Sequence, residues 1–505
     1  MSSISSVVDH NFISYPEFGT LVKNPPSESF RDTLYKAALL GVKILAFGAS
    51  VALVGGFMCA VLVTGAILIY QLAKQVFCHY YANAYRVAFD PVENDINAPK
   101  LGAYSKADLI LSNHVADIFK WKKELIKSAQ SSIELSANFA GGRDFREVLD
   151  LIQERMKAFP NLRVHIILSK DLLIKTDLEY LDVLKKEHPV NFHYLITDRI
   201  LVAEPGIGTE ENHVKMLVVD GKYFATGGSG IHEKLTREEV PSNHVWEEQS
   251  LGAKVLDNAS RDTDVVGCGE VARTMRNQFF NLYRIWECRT GGNEVESRYF
   301  PDNEGIASRC ALFHEAKDLI TNSSIKFIVG GPEHRKKNPI SIEIADLISK
   351  AQTEVKIANL LFNPDKHIKN ALEVCKSKKI PVVGHFNGTG GDSSFTHHVY
   401  AMPGRLNYHL LTKAFETEED RLYHRKVVTL DRKYTLVGSY NLGTKSSQYD
   451  YEGMCVIDDL RVAAIMNTAL DRDKERSIEV TSQNFGWWNW VAGKTVNFIL
   501  ESFAG

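Results

Sequence analysis

The chain contains one stretch twice. Asn212–Ile231 reads NHVKMLVVDGKYFATGGSGI and Tyr423–Leu442 reads YHRKVVTLDRKYTLVGSYNL. Aligned on the histidines, His213 matches His424, Lys215 matches Lys426, and Asp220 matches Asp431. Gly227-Gly228 then matches Gly438-Ser439. Positions i and i+2 of a strand share a face, so each copy points a His and a Lys the same way at the mouth of an apolar strand. A single pair of that kind is ordinarily a solvated strand end. Two in register are not, and they require a fold that contains itself twice.

A second, independent repeat agrees. Leu125–Ile133 reads LIKSAQSSI and Leu347–Val355 reads LISKAQTEV. Each is an amphipathic helix end running into an alternating strand. Helical stretches follow at Arg143–Phe159 and Asp365–Lys378, then apolar strands at Val164–Leu168 and Ile380–Val383. Alternating strands and helices predict α/β sandwich lobes. A repeat of more than 200 residues is too long for a solenoid and implies two duplicated lobes facing one another. We place the first at residues 99–300 and the second at 301–480.

Outside the lobes, residues 1–36 are polar. Residues 37–73 then form a hydrophobic run with only Lys43 charged, and Ile44–Ala73 carries no charge at all. A membrane span needs about 20 apolar residues, so this run predicts one tilted span or a hairpin turning at Gly55-Gly56. Arg31, Lys36, Lys74 and Arg86 flank it. A hairpin would keep both flanks, and the lobes, on the cytoplasmic side. The tail, residues 481–505, packs Trp487, Trp488 and Trp490 together. It suits either a membrane interface or docking onto the lobes.

Composition narrows the partners. The net charge is −3 and the longest basic run is His334–Lys337. A chain that grips nucleic acid through phosphates is usually basic, so the balance weighs against a nucleic-acid substrate. The seven cysteines include no CxxC pair, which excludes a cysteine zinc site and predicts free thiols.

The repeated set suits phosphoryl chemistry. Two histidines supply a nucleophile and a general acid near neutral pH. Two lysines supply fixed positive charge for a phosphoryl group. Small residues after the second strand let backbone and short hydroxyls approach phosphate oxygens. A nucleophilic histidine needs an acceptor on its other ring nitrogen, so a carboxylate is expected downstream in each half. Glu452 in DYEGMCVIDD and Asp262 in RDTDVVGCG are the candidates, with Asp264 as a rival to Asp262. No carboxylate cluster or His-rich motif argues for a metal, and no cofactor is implied.

The paired HxKxxxxDxxxxxxG pattern, followed by Gly or Ser, resembles the phospholipase D superfamily over residues 100–480. The resemblance implies a two-lobed α/β sandwich with its active site between the lobes and chemistry through a phosphohistidine. It implies catalytic roles for His213, Lys215, Asp220, Asp262, His424, Lys426, Asp431 and Glu452, with His213 as nucleophile and His424 as acid. It implies substrate contacts from Gly228, Ser229, Ser439 and Asn441. One departure stands out: the asparagine expected in the first half is Gly230. Cardiolipin synthases resemble this layout. The expectation is therefore a membrane-bound enzyme that cleaves or transfers phospholipid phosphodiesters. A nucleic-acid phosphodiesterase and a tethered interaction protein with a vestigial site are the alternatives. The glycine-rich loops at 204–212 and 384–400, the latter holding His397 and His398, are expected as rims. Met275, Phe279, Tyr283 and Trp286 are expected as core.

Overall fold

A computed structural model describes residues 97–202, 208–236, 260–290, 311–335, 337–388, 404–417 and 422–480, with Phe18 and Asp95. The hydrophobic run at 37–73, the aromatic tail at 481–505, the lobe boundary at 300/301 and His397 and His398 lie outside these residues. Among the described residues, no helix is long and apolar enough to cross a membrane.

Each half builds a sheet of the same order. In the first, strands Ser105–Ser112, Asp264–Gly269, Tyr223–Gly227, Met216–Val219, Ser132–Ala137, Arg163–Ser169 and Phe192–Thr197 lie side by side. In the second the order is Ile320–Gly330, Asp450–Asp458, Tyr434–Gly438, Lys426–Leu430, Val355–Asn359, Val382–Phe386 and Lys413–Thr417. Ser477–Val480 adds a further edge strand to the second half. The last three strands of each matching set are parallel, as helix crossovers require. The two sheets join through their equivalent first strands, Ser105–Ser112 running antiparallel to Ile320–Gly330. Antiparallel pairing of equivalent strands puts a pseudo-twofold axis between them.

Strand alternation sorts side chains onto two faces. Leu217 and Val219 pack with Phe145, Val148 and Ile152 of helix Gly142–Ala158. Met216 and Val218 point the other way, toward Met275, Phe279 and Trp286 of helix Val271–Arg289. The second lobe repeats this, with Val428 and Leu430 against helices Pro339–Lys350 and Lys366–Ser377, and Val427 against helix Leu460–Lys474. Each lobe is therefore a sheet with helices on both faces, and one central core draws residues from both lobes. Met275, Phe279 and Trp286 are buried in that core and Tyr283 packs on it, as the helical spacing predicts.

Helix starts are written in the sequence. Asn338 caps Pro339–Lys350, accepting from the N–H groups of Ile340 and Ser341 at 3.0 and 3.3 Å. Asp365 caps Lys366–Ser377, accepting from His367 and Ile368 at 2.9 and 3.2 Å. The cysteine expectation needs one correction. Cys288, Cys375 and Cys455 are free, but Cys268 is disulfide-bonded. Sequence spacing without a CxxC pair carries no information about a long-range partner.

Asp220 and Asp431 require a larger correction. Expected with the catalytic set, they stand at the far ends of strands Met216–Val219 and Lys426–Leu430, about 20 Å of extended chain from the histidines. Asp220 accepts from the N–H groups of Gln130, Ser131 and Ser132 and from the Ser131 hydroxyl. Asp431 does the same for Gln352, Thr353 and Glu354 and the Thr353 hydroxyl. These donors belong to the AQSS and AQTE turns, so the two sequence repeats meet in space. Both aspartates adopt left-handed backbone, with φ of 55° and 52°, which Asp tolerates better than most residues. Burial would raise the Asp431 carboxyl, but the three N–H groups and the hydroxyl outweigh it and lower it. Its stabilising contribution is therefore present at neutral pH and lost as acid reaches that lowered value. Replacing Asp220 or Asp431 by Asn keeps the left-handed turn and weakens the cluster. The expected cost is about 1–2 kcal/mol of stability each, read by denaturant unfolding, with turnover per folded molecule unchanged.

Candidate active site

The two histidines enter from strands that are each zipped to the opposite lobe. Glu211 and Asn212 pair with Asp450 and Tyr451, and the His213 N–H donates to the Tyr451 carbonyl at 3.0 Å. Leu422 and Tyr423 pair with Ser260 and Arg261, and the His424 N–H donates to the Arg261 carbonyl at 2.9 Å. Each histidine thus begins its copy of the motif at the lobe boundary, buried to 2–3% exposure.

The carboxylates cross that boundary. His213 Nδ1 lies 2.9 and 3.1 Å from the two carboxyl oxygens of Glu452, in the other lobe. His424 Nδ1 lies 2.7 Å from Asp262 Oδ2, again in the other lobe. The pairing is symmetric in register: Gly227 sits opposite Asp264 and Gly438 opposite Met454, which makes Asp262 the equivalent of Glu452. Asp264 is engaged elsewhere, by Ser229 and by Lys122 at 3.1 Å. Where Nδ1–H donates to an ionised carboxylate, Nε2 of the ring carries the free lone pair.

Lys215 and Lys426 are held alike. The Nζ of each donates to the backbone carbonyl of its own histidine, at 3.0 and 2.7 Å. Both ammonium groups are buried. Burial pushes Lys215 down to about 8, against Glu452 and Asp262, which raise it. Burial pushes Lys426 down to about 7, helped by Lys215. The histidines follow: burial and then the lysines hold His213 well below its usual range, and burial and Lys426 take His424 down to about 4 against the pull of Asp262. Two buried lysines beside two imidazoles held below their usual range favour the entry of an anion.

The carboxylates differ in their surroundings. Burial, then Asp450, raises Glu452 well above the usual range, against Lys215 and the hydroxyls of Ser439 and Ser446. Burial would also raise Asp262, but His424, Lys426 and the Thr263 N–H outweigh it and lower it. His213, Asp450 and Glu452 bring ligand atoms within 4.8 Å of one another, a geometry open to a metal ion. Lys445 Nζ bridges Asp450 Oδ1 at 2.8 Å and Glu211 of the other lobe at 2.7 Å, while Asp450 Oδ2 has no partner among the described residues.

The residues expected to touch substrate divide. Asn441 is 1% exposed, and both atoms of its side-chain amide lack a partner among the described residues. Buried amides are otherwise almost always paired, which makes this one a candidate ligand contact. Ser439 instead bonds Glu452, and Gly228 backs Asp262, where an added Cβ would lie 2.1 Å from Oδ1. Ser229 bonds Asp264 and Lys122. Gly230 stands where the first lobe's asparagine was expected, and a Cβ there would meet the Phe139 carbonyl at 2.4 Å and Leu235 Cδ1 at 2.6 Å. Phe139 takes the space. Its ring centroid lies 6.4 Å from both imidazoles and 5.5 Å from Lys215 Nζ. Sequence reasoning missed Phe139 and Ser446. The first lies outside the repeated motif, and the second lies in the stretch GTKSS without a distinguishing pattern.

The comparisons with known proteins bear on the fold and the family. Residues 344–474 match the family model described as cardiolipin synthase, PLD-like domain. This match supports the phospholipase D superfamily. A probable cardiolipin synthase of Bacillus subtilis (strain 168) is 23% identical over 299 residues, which cover 58% of this chain and 52% of that protein. The chain therefore matches about half the length of this curated relative. The crystal structure of a phosphatidylserine synthase from Haemophilus influenzae Rd KW20 superposes with a TM-score of 0.53 at 13% identity. It covers 77% of this chain and 92% of its own, and speaks to the fold.

Proposed function

We propose that the protein is a membrane-bound phosphatidyltransferase of phospholipase D type, which cleaves or transfers phospholipid phosphodiesters through a phosphohistidine. The carrying observation is the crossed pair of histidine–carboxylate contacts around two buried lysines and the free amide of Asn441. The names of the similar proteins support a phospholipid substrate. The charge-free run at Ile44–Ala73 supports a membrane anchor that keeps the lobes beside the bilayer, on the cytoplasmic side.

The steps follow from the charges. A phosphodiester anion enters between the two lysines and offsets their desolvation. His213 Nε2, neutral before substrate arrives, attacks phosphorus, and Glu452 holds the Nδ1 proton as the ring becomes positive. Lys215, Lys426 and Asn441 hold the phosphoryl oxygens. The bound anion raises His424, and the ionised Asp262 stabilises its imidazolium, so that it protonates the leaving alcohol. His424 then takes a proton from the incoming water or alcohol, which displaces the phosphatidyl group from His213.

The test is a turnover series with the full chain in detergent micelles. Labelled phosphatidylglycerol, phosphatidylcholine and single-stranded DNA are offered, with His213→Ala and His424→Ala as controls. Phosphatidyl transfer or release by the wild type alone is expected. Cleavage of DNA and no lipid product sinks the reading in favour of a nuclease, and no turnover of any substrate favours a vestigial site.

The lysines predict a pH dependence. In the free enzyme Lys426 loses its proton near 7 and Lys215 near 8, so kcat/KM is expected to fall as pH rises through that window. The substrate anion raises both groups when bound. The alkaline limb of kcat is therefore expected at higher pH than that of kcat/KM. Coincident limbs in a pH-rate series at fixed ionic strength would contradict this.

A further inference from the structure

The residue between the catalytic pair in each motif differs, and the difference has a structural consequence. In the first lobe it is Val214, which packs in the central core and meets Gly453. In the second it is Arg425, which is 2% exposed. Successive side chains on a strand oppose one another, so Arg425 leaves the face of His424 and Lys426 and crosses to the other lobe. Its Nη1 donates to the Asp262 backbone carbonyl at 2.9 Å, to Asn113 Oδ1 at 2.9 Å and to the Thr263 hydroxyl. Its Nε donates to Asp473 Oδ2 at 2.8 Å. Asp473 also accepts from Arg261 Nη1 at 2.5 Å and from the Tyr423 hydroxyl at 3.0 Å.

Arg261, Asp262 and Thr263 carry the carboxylate that orients His424. All three are held by this one ionic cluster, as are Tyr423 and Arg425 on either side of His424. Glu452 is supported differently. It is positioned by Ser439 and Ser446 and by apolar packing around Val214.

We infer that Arg425, with Asp473, is a positioning residue for the general-acid half of the site, fixing Asp262 so that it orients His424 while leaving His213 and Glu452 untouched. The clamp explains why one histidine can be tuned without the other in a site built from two copies of one motif. The inference rests on the proposed assignment of His424 as acid.

Arg425→Met keeps much of the volume and leaves Asp473 paired with Arg261. Asp473→Asn loosens the same clamp with less change in shape. Single-turnover release is measured from two phosphodiesters, one with an alkyl leaving group and one with p-nitrophenolate, whose departure needs no proton. Arg425→Met is expected to lose about 100-fold on the alkyl substrate and less than about 3-fold on the p-nitrophenyl substrate, and Asp473→Asn to lose less with the same contrast. Equal losses on both substrates, or none on the alkyl one, overturn the inference. Proton–nitrogen spectra of histidine-labelled protein give a readout independent of turnover. The low-field Nδ1–H signal of His424 is expected to shift or vanish in both variants, with that of His213 retained. Unchanged His424 signals in both variants overturn it. If the wild type turns over neither phosphodiester, the proposed function fails, and the spectra still decide the clamp.

Discussion

Replacing His213 by alanine is expected to reduce turnover by about 10⁵-fold or more and to abolish any covalent phosphoryl-protein species. The nucleophile is the one group whose loss no neighbour can offset. His424 is held by its own carboxylate in its own orientation, 2.7 Å from Asp262, and in the proposed scheme it serves the leaving group. His424→Ala is expected to be as damaging with an alkyl leaving group but to behave differently with p-nitrophenolate. That leaving group departs unprotonated, so His213 is expected to accumulate as a phosphohistidine that rapid acid-free quenching and mass spectrometry detect. The duplicated motif makes the opposite assignment explicit. A covalent adduct that survives in His213→Ala and disappears in His424→Ala would exchange the two roles.

Much of this site is legible in the amino-acid sequence, because duplication supplies an internal control. His213 and Lys215 gain meaning from His424 and Lys426, and both sets meet at the lobe boundary. Periodicity locates the helices: it predicts one over Arg143–Phe159 where Gly142–Ala158 is found, and Asp365 is the cap of its helix rather than its first residue. What periodicity does not carry is partnership across the chain. Asp220 and Asp431 share the motif's spacing, yet spacing along a strand fixes a face and not a distance from the reaction. They serve the turn between helix and strand in the other repeat. The small size of Gly228 and Ser439 suggests phosphate contacts. They are small because a carboxylate stands against each. Gly230 has the look of a lost donor. It is the space that Phe139 fills, and Phe139 sits almost a hundred residues earlier, outside the repeated motif.

Glu452→Gln is expected to cost about 10³–10⁴-fold in kcat, with KM changed little, measured with the same lipid substrate. The residue touches no substrate in this scheme. It accepts the Nδ1 proton of His213 through both oxygens, while Ser439 and Ser446 each occupy one of them. A glutamine offers one acceptor and one donor in the same space. With its amide N–H toward Nδ1, it would impose the tautomer whose Nε2 is protonated and cannot attack, the effect that makes an Asp→Asn change in a serine protease triad so costly. With its carbonyl toward Nδ1, it would keep the tautomer but remove the negative charge that the phosphohistidine cation needs. Both orientations slow formation of the intermediate and its breakdown alike, because His213 is positive between the two steps. Asp262→Asn is expected to act on protonation of the leaving group instead, so its deficit should shrink with p-nitrophenolate while that of Glu452→Gln persists. The double variant is then expected to lose less than the product of the two single losses on an alkyl substrate, since both carboxylates act on Lys215 and Lys426. If Glu452→Gln retained more than about a tenth of wild-type kcat, the cross-lobe pair would be a structural contact and His213 would need another acceptor.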